Sequence, residues 1–137
     1  MTNTETTDRP TTDNLDRVVE GYAECALWSS LHYAGEDVEP EPMDDHAGME
    51  DISPEVWAEF YGDCSAFIEA NGEDLESYLK VLTLEGFGHD FWLTRNGHGA
   101  GFWDRGLGDV GDRLTEAAEV YGAVDLYIGS EDGKVYV

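Results

Sequence analysis

Positive charge is what this chain lacks most. Its 137 residues carry seven Lys and Arg against 31 Asp and Glu, a formal net charge of −24 with the histidines neutral. Only Lys80 and Lys134 are lysines. Unaided binding to nucleic acid or to an anionic membrane needs the opposite sign, so neither is an expected partner. Long hydrophobic runs are missing too, and nothing approaches the ~18 apolar residues of a membrane span. Residues 1–12 are polar and Thr-rich, without the basic start and apolar middle of a secretion signal. They read as a disordered lead-in to a single domain over residues 13–137, with a cytoplasmic location expected. Cysteine is scarce. Cys25 and Cys64 each fall on the apolar stripe of a predicted helix and read as buried thiols in a reducing compartment, a disulfide being the less favoured alternative. There is no C-x-x-C and no paired Cys/His spacing, so no zinc template fits. No metal or cofactor is expected. Asp44-Asp45-His46 with Asp51 offers oxygen ligands, but lacks EF-hand spacing and reads as a solvated run.

What is present is enough for a core. Hydrophobic residues make up 41% and aromatics 12%, with four Trp, and a chain of this length buries roughly two-thirds of its unfolded surface. Residues 13–34 predict a helix, with Leu15, Val18, Val19, Tyr22, Ala26 and Tyr33 on one face, Trp28 and Leu31 widening it, Asp13 as cap and Gly35 as stop. Residues 35–52 hold eight acids and no base, with Pro40 and Pro42, and read as an exposed loop. Residues 54–70 predict a helix capped by Ser53, with Pro54 in the first turn, core positions Val56, Trp57, Phe60, Cys64, Phe67 and Ile68, and Asn71-Gly72 as its end. A short helix carrying Leu75, Tyr78, Leu79 and Leu82 should stop at Gly86-Phe87-Gly88.

The pattern then reads as alternating. His89–Arg95 and His98–Asp104 predict two strands around Asn96-Gly97, a strong hairpin turn signal. In that register Arg95 pairs with His98, Leu93 with Ala100, Phe91 with Phe102, and His89 with Asp104, all on one face. Residues 109–121 predict a last helix ending at Gly122. Val124–Ile128 and Lys134–Val137 predict a second hairpin across Asp132-Gly133. The order ααα-ββ-α-ββ implies an α+β fold, a small antiparallel sheet of two hairpins with helices packed on one face.

The 88–105 hairpin is the candidate site for chemistry. His89, Asp104, Arg95 and His98 are the candidate catalytic residues, because a carboxylate beside a histidine is the pairing that orients a general base, and Arg95 and His98 would contact an anion. The plainer reading, which the spacing favours, is a structural pair closing a hairpin. Only Thr94 is near enough in sequence to serve as a nucleophile. Gly97-His98-Gly99-Ala100-Gly101 does not open a helix, so it is not a phosphate-cradling loop.

Cys25-Ala26-Leu27-Trp28-Ser29-Ser30, Asp51-Ile52, Asp63-Cys64, the 88–105 segment, and residues 125–129 with 132–137 together resemble an uncharacterised family of small acidic phage and bacterial proteins. The resemblance covers most of the chain beyond about residue 20. It implies a phage or prophage origin and transfers no activity. This chain is more acidic than that pattern, and its first 12 residues have no counterpart in it.

The acidity itself supports two readings. Duplex DNA carries about two charges per 3.4 Å step, so 24 charges correspond to roughly 12 base pairs or about 40 Å. A compact domain of this length is about 37 Å across. A phage accessory protein of this kind would occupy the basic groove of a DNA-binding host enzyme as a DNA mimic. Alternatively, the charge adapts a structural or virion-associated protein to a salty interior, where repulsion is screened within about 3 Å. Residues 36–88 hold 16 acids and one base, whereas residues 1–35 and 89–137 net −4 and −5. That bunching favours a partner surface, carried by Glu36, Asp37, Glu39, Glu41, Asp44, Asp45, Glu55, Glu59 and Asp63.

Overall fold

The computed structural model describes residues 12–137. The lead-in expected before the domain therefore lies, apart from Thr12, outside the described residues, as does the Asp13 side chain assigned as a cap. Among the described residues the chain is mostly helical. Its helices are α1 (Thr12–Ser29), α2 (Pro54–Ala70), α3 (Gly72–Tyr78), α4 (Leu84–Arg95) and α5 (Asp109–Glu119). Two separate two-stranded antiparallel sheets complete it: β1 (Leu31–His32) with β2 (Glu41–Pro42), and β3 (Tyr127–Ile128) with β4 (Val135–Tyr136). A mixed α+β class holds at this coarse level, but the first strand pair lies between α1 and α2 rather than at residues 88–105.

That is the main correction to the sequence reading. Residues 84–95, where the pattern predicts a helix stop followed by a strand, form a helix. Thr83 caps it, its hydroxyl accepting from the Gly86 amide at 3.0 Å. Leu84, Phe87, Phe91 and Trp92 recur at helical steps and are buried. Asn96-Gly97 ends the helix instead of turning a hairpin. Gly97 takes φ +71°, its amide donates to the Thr94 carbonyl, and the His98 amide donates to the Leu93 carbonyl. This pair of bonds is a Schellman cap, which needs the same left-handed glycine that a tight hairpin turn needs.

Two glycines in helix interiors explain how α1 and α4 pack. A Cβ on Gly88 would stand 2.0 Å from the Val18 carbonyl oxygen, and one on Gly21 would stand 2.1 Å from that of Glu85. The two backbones touch, flanked by the bidentate Arg17–Glu85 pair at 2.9 and 3.0 Å. α2 closes the third side. Tyr22 meets the edges of Phe60 and Trp92 at 5.0 and 5.2 Å, and Phe67 stacks on Phe91 at 4.0 Å. Eight aromatic side chains are essentially fully buried, and burying one such ring stabilises by about 1.5–3 kcal/mol.

Other expectations hold with trimmed boundaries, except that α3 ends at Tyr78, which leaves Leu79 exposed and Leu82 beyond the helix. Ser53 caps α2 by accepting from the Val56 amide at 3.2 Å. Asn71 closes α2 through its side chain, which donates to the Phe67 carbonyl, and Gly72 starts α3 without a positive φ. The β3–β4 hairpin turns at Gly133, φ +72°, and docks on the start of α2 through the Ser53 amide and the Val135 carbonyl. Val124 to Leu126 lie outside the strand. α1 ends at Ser29. Trp28 on its outer face and Leu31 and Tyr33 beyond it are not covered by the core as expected but stand exposed. The 35–52 segment is less loose than expected. Met43, Ala47 and Ile52 are buried, and the Met43 amide donates to the Ser30 carbonyl at 2.9 Å.

Candidate functional site

The catalytic candidates do not converge. His89, on α4, lies 3.4 Å from Glu24 of α1 at the surface, not against Asp104. Asp104 ends a 3-10 turn and accepts from the Gly101 amide. His98, just past α4, is exposed. Thr94 is buried and occupied, accepting from the Phe102 amide at 3.2 Å.

Arg95 is 8% exposed and fully committed. It donates to Asp63 Oδ2 at 2.8 Å, the Tyr22 hydroxyl at 2.9 Å, and the carbonyls of Gly122 and Tyr121 at 2.7 and 3.0 Å. Its guanidinium also lies over the Phe91 and Tyr121 rings. The residue expected to contact an anion instead ties α1, α2, α4 and the end of α5 together. Asp63, expected on the partner surface, is its counter-ion. A second buried group escaped the sequence reading. Asp90, 1% exposed, accepts from the Tyr78 hydroxyl at 2.7 Å and takes a fork from Arg105, the shortest arm 2.6 Å. The strand pattern expected for His89–Arg95 hid it, because alternation put Asp90 on the face opposite Phe91. An acid on the core face of a helical repeat was the available signal.

The thiols are free and buried. Burial pushes Cys25 up to about 12 despite the Ser29 hydroxyl beside it, and raises Cys64 further. Thiolate is the nucleophilic form, so neither is poised for attack at neutral pH. Among the described residues, no three His, Cys, Asp or Glu side chains are grouped as metal ligands. Asp51, one of the loop acids, accepts from the Gly48 amide. No described helix is long and apolar enough to cross a membrane.

A different surface stands out. Trp28 and Tyr33 are 59% and 67% exposed, with Leu31 and Val38 also open. They lie where α1 runs into β1 and the loop that carries Glu36, Asp37 and Glu39, all exposed. Glu41 of β2 sits in register with His32 and bonds His46 at 2.7 Å, and the His32 and His46 rings are 4.5 Å apart. Asp44, Asp45, Glu55 and Glu59 are exposed beyond it. On its other side the same edge borders a cleft of about 530 Å³, walled by Leu31, Tyr33, Trp92, Asn96, Val124 and Asp125. Apolar anchors with an acidic rim are the anatomy of a protein-binding surface.

All four described arginines are committed to carboxylates, Arg17 to Glu85, Arg95 to Asp63, Arg105 to Asp90 and Arg113 to Asp74. Glu36, Asp37, Glu39, Asp44 and Asp45 make no ion pair among the described residues. The chain matches no protein-family model, no curated protein and no solved structure.

Proposed function

We propose that this chain is a non-enzymatic accessory protein, phage-borne in keeping with the resemblance, that docks on a basic surface of a host protein. The carboxylates of residues 36–45 stand in for DNA phosphates, and Trp28, Leu31, Tyr33 and Val38 supply the apolar anchor. The target class is a defence or nucleic-acid enzyme whose DNA groove is positive. One observation carries the reading: the described arginines are matched to carboxylates elsewhere, while Glu36, Asp37, Glu39, Asp44 and Asp45 stay unneutralised near exposed aromatic side chains. Such a surface attracts a basic partner over long range, and the apolar anchors then set its lifetime.

The test is capture from host lysate at about 50 mM salt, with elution by duplex DNA. Capture of DNA-binding proteins that duplex DNA releases, and its loss in a Glu36→Gln, Asp37→Asn, Glu39→Gln, Asp44→Asn, Asp45→Asn variant, is the expected result. An unchanged set of captured proteins in that variant refutes it.

A second reading has its own observation. Exposed acids also occur on helices away from the loop, for example Glu20 on α1, Glu69 on α2, Glu76 on α3 and Glu116 on α5. An even coat suits a salt-adapted structural or virion-associated protein. Unfolding in dilute buffer and in molar KCl separates the two, because a fold that is stable without salt does not need the coat.

A further inference from the structure

The cleft beside Tyr33 has a rigid wall and an open one. Trp92 donates its indole N–H to the Ser29 hydroxyl at 2.9 Å, and that hydroxyl donates to the Cys25 carbonyl at 2.7 Å. The Asn96 amide is used at both ends, donating to the Trp92 carbonyl and accepting from the Val124 amide at 2.8 Å. These groups fix the cavity's shape and have little left to offer a ligand. Tyr33, His98 and Asp125 also line it, and their side chains make no hydrogen bond or ion pair among the described residues. No lysine or arginine lines it, and the whole molecule is strongly negative. An anion would find no lysine or arginine there and would approach against the negative charge of the whole molecule. A planar cation would find a carboxylate, an open phenol ring and apolar walls from Leu31, Val124 and Leu126.

We propose that this cleft receives an arginine side chain of the basic partner, its guanidinium against Asp125 and the Tyr33 ring and its stem along the apolar wall. The proposal rests on the reading above and narrows it from a diffuse charge attraction to a specific anchor. Arginine suits the site better than lysine. Its flat, weakly hydrated head stacks on an aromatic face while forking to a carboxylate, whereas a lysine ammonium keeps its water. At about 530 Å³ the cavity is within the range of small-ligand pockets, so the side chain enters without the backbone moving.

The experiment uses three short peptides matched in length, alternating glycine with arginine, lysine or citrulline, titrated into the isotopically labelled full chain. The arginine peptide is expected to shift the Trp92 indole and the Tyr33, Asn96 and Asp125 resonances and to bind about three- to tenfold more tightly than the lysine peptide. Citrulline, which keeps the shape and lacks the charge, should not bind. Tyr33→Ala, at an exposed position and without change of charge, should erase the preference for arginine while leaving lysine-peptide binding intact. Asp125→Asn should weaken the arginine peptide alone. Equal binding of arginine and lysine peptides, or shifts confined to residues 36–45, overturns the cleft and leaves the wider reading standing. If neither basic peptide binds at low salt, both fall.

Discussion

The close approach of α1 and α4 makes a prediction whose sign is opposite to that of helix propensity. In a solvent-facing helix, Gly→Ala stabilises by roughly 0.5–1 kcal/mol, because alanine has less backbone freedom to lose. At Gly88 the added carbon would stand 2.0 Å from the Val18 carbonyl oxygen, 2.7 Å from the Tyr22 amide nitrogen and 3.0 Å from the Val18 carbonyl carbon. All three are backbone atoms within α1 and cannot swing aside. Comfortable contact begins near 3.5 Å, so the helices must part by more than an ångström. That loosens the contacts of Tyr22 with Phe60, Phe91 and Trp92. Overpacking of this kind costs about 1–3 kcal/mol and occasionally more, which outweighs the propensity gain. Gly62 on α2 is the control, since its added carbon would meet nothing within 4 Å. Urea denaturation with unchanged m-values should place Gly62→Ala about 0.5–1 kcal/mol above the parent and Gly88→Ala about 1–3 kcal/mol below it. A Gly88→Ala protein as stable as the parent would refute the backbone contact.

Arg95→Met should destabilise by about 3 kcal/mol in the same assay, the low end for a broken buried pair because Asp63 keeps a third of its side chain in water. Arg95→Lys should recover little, since one ammonium cannot span four acceptors, and a loss under about 1 kcal/mol would contradict the hub. Cys25 and Cys64 should resist a thiol reagent in the native state and react together on unfolding, and rapid native labelling of either would disprove their burial. Alkali should unfold the protein. Burial raises Tyr22 and Tyr78, while hydrogen bonds to Asp16 and Asp132 push Tyr61 and Tyr136 up to about 12. The folded chain thus holds phenolic protons that the unfolded chain releases near pH 10, so stability is intact below about pH 10 and falls as pH rises through 10–12. Phenolate absorbance titrating entirely near 10, with no accompanying loss of structure, would contradict this.

What was legible in the sequence was whatever a local pattern determines. Ser53-Pro54 starts a helix, Cys25 and Cys64 occupy apolar stripes, and Asp132-Gly133 turns a chain end, because each depends on a few adjacent residues. The 84–95 helix was misread for a physical reason. Gly97 in the left-handed region serves a tight hairpin turn and a Schellman cap equally, so the Asn-Gly pair does not discriminate between them. Gly86 and Gly88 looked like stops because a glycine placed for helix contact and one placed to break a helix are the same residue. The deciding signal was the spacing of Leu84, Phe87 and Phe91 behind Thr83, which fits a capped helix and not a strand.

The polar residues were harder, because their partners are remote in sequence. Arg95 reaches Tyr22, Asp63, Tyr121 and Gly122, and no spacing rule connects those positions. Arginine outnumbers lysine five to two, and the described arginines have a structural use that no local pattern announces. The described arginines each join a carboxylate from another segment, 17 with 85, 63 with 95, 74 with 113 and 90 with 105, and three of these are two-armed contacts to one carboxylate. A planar fork holds two segments in a fixed geometry, which a lysine ammonium does not. The described arginines therefore fasten segments together, Arg95 and Arg105 largely within the fold and Arg17 and Arg113 at its surface, and few positive charges are left to offset the remaining carboxylates. The cost of that arrangement is self-repulsion among the remaining carboxylates. A cationic partner relieves it on the face it covers, so stability and binding are coupled, and the partner should protect the fold most at low salt.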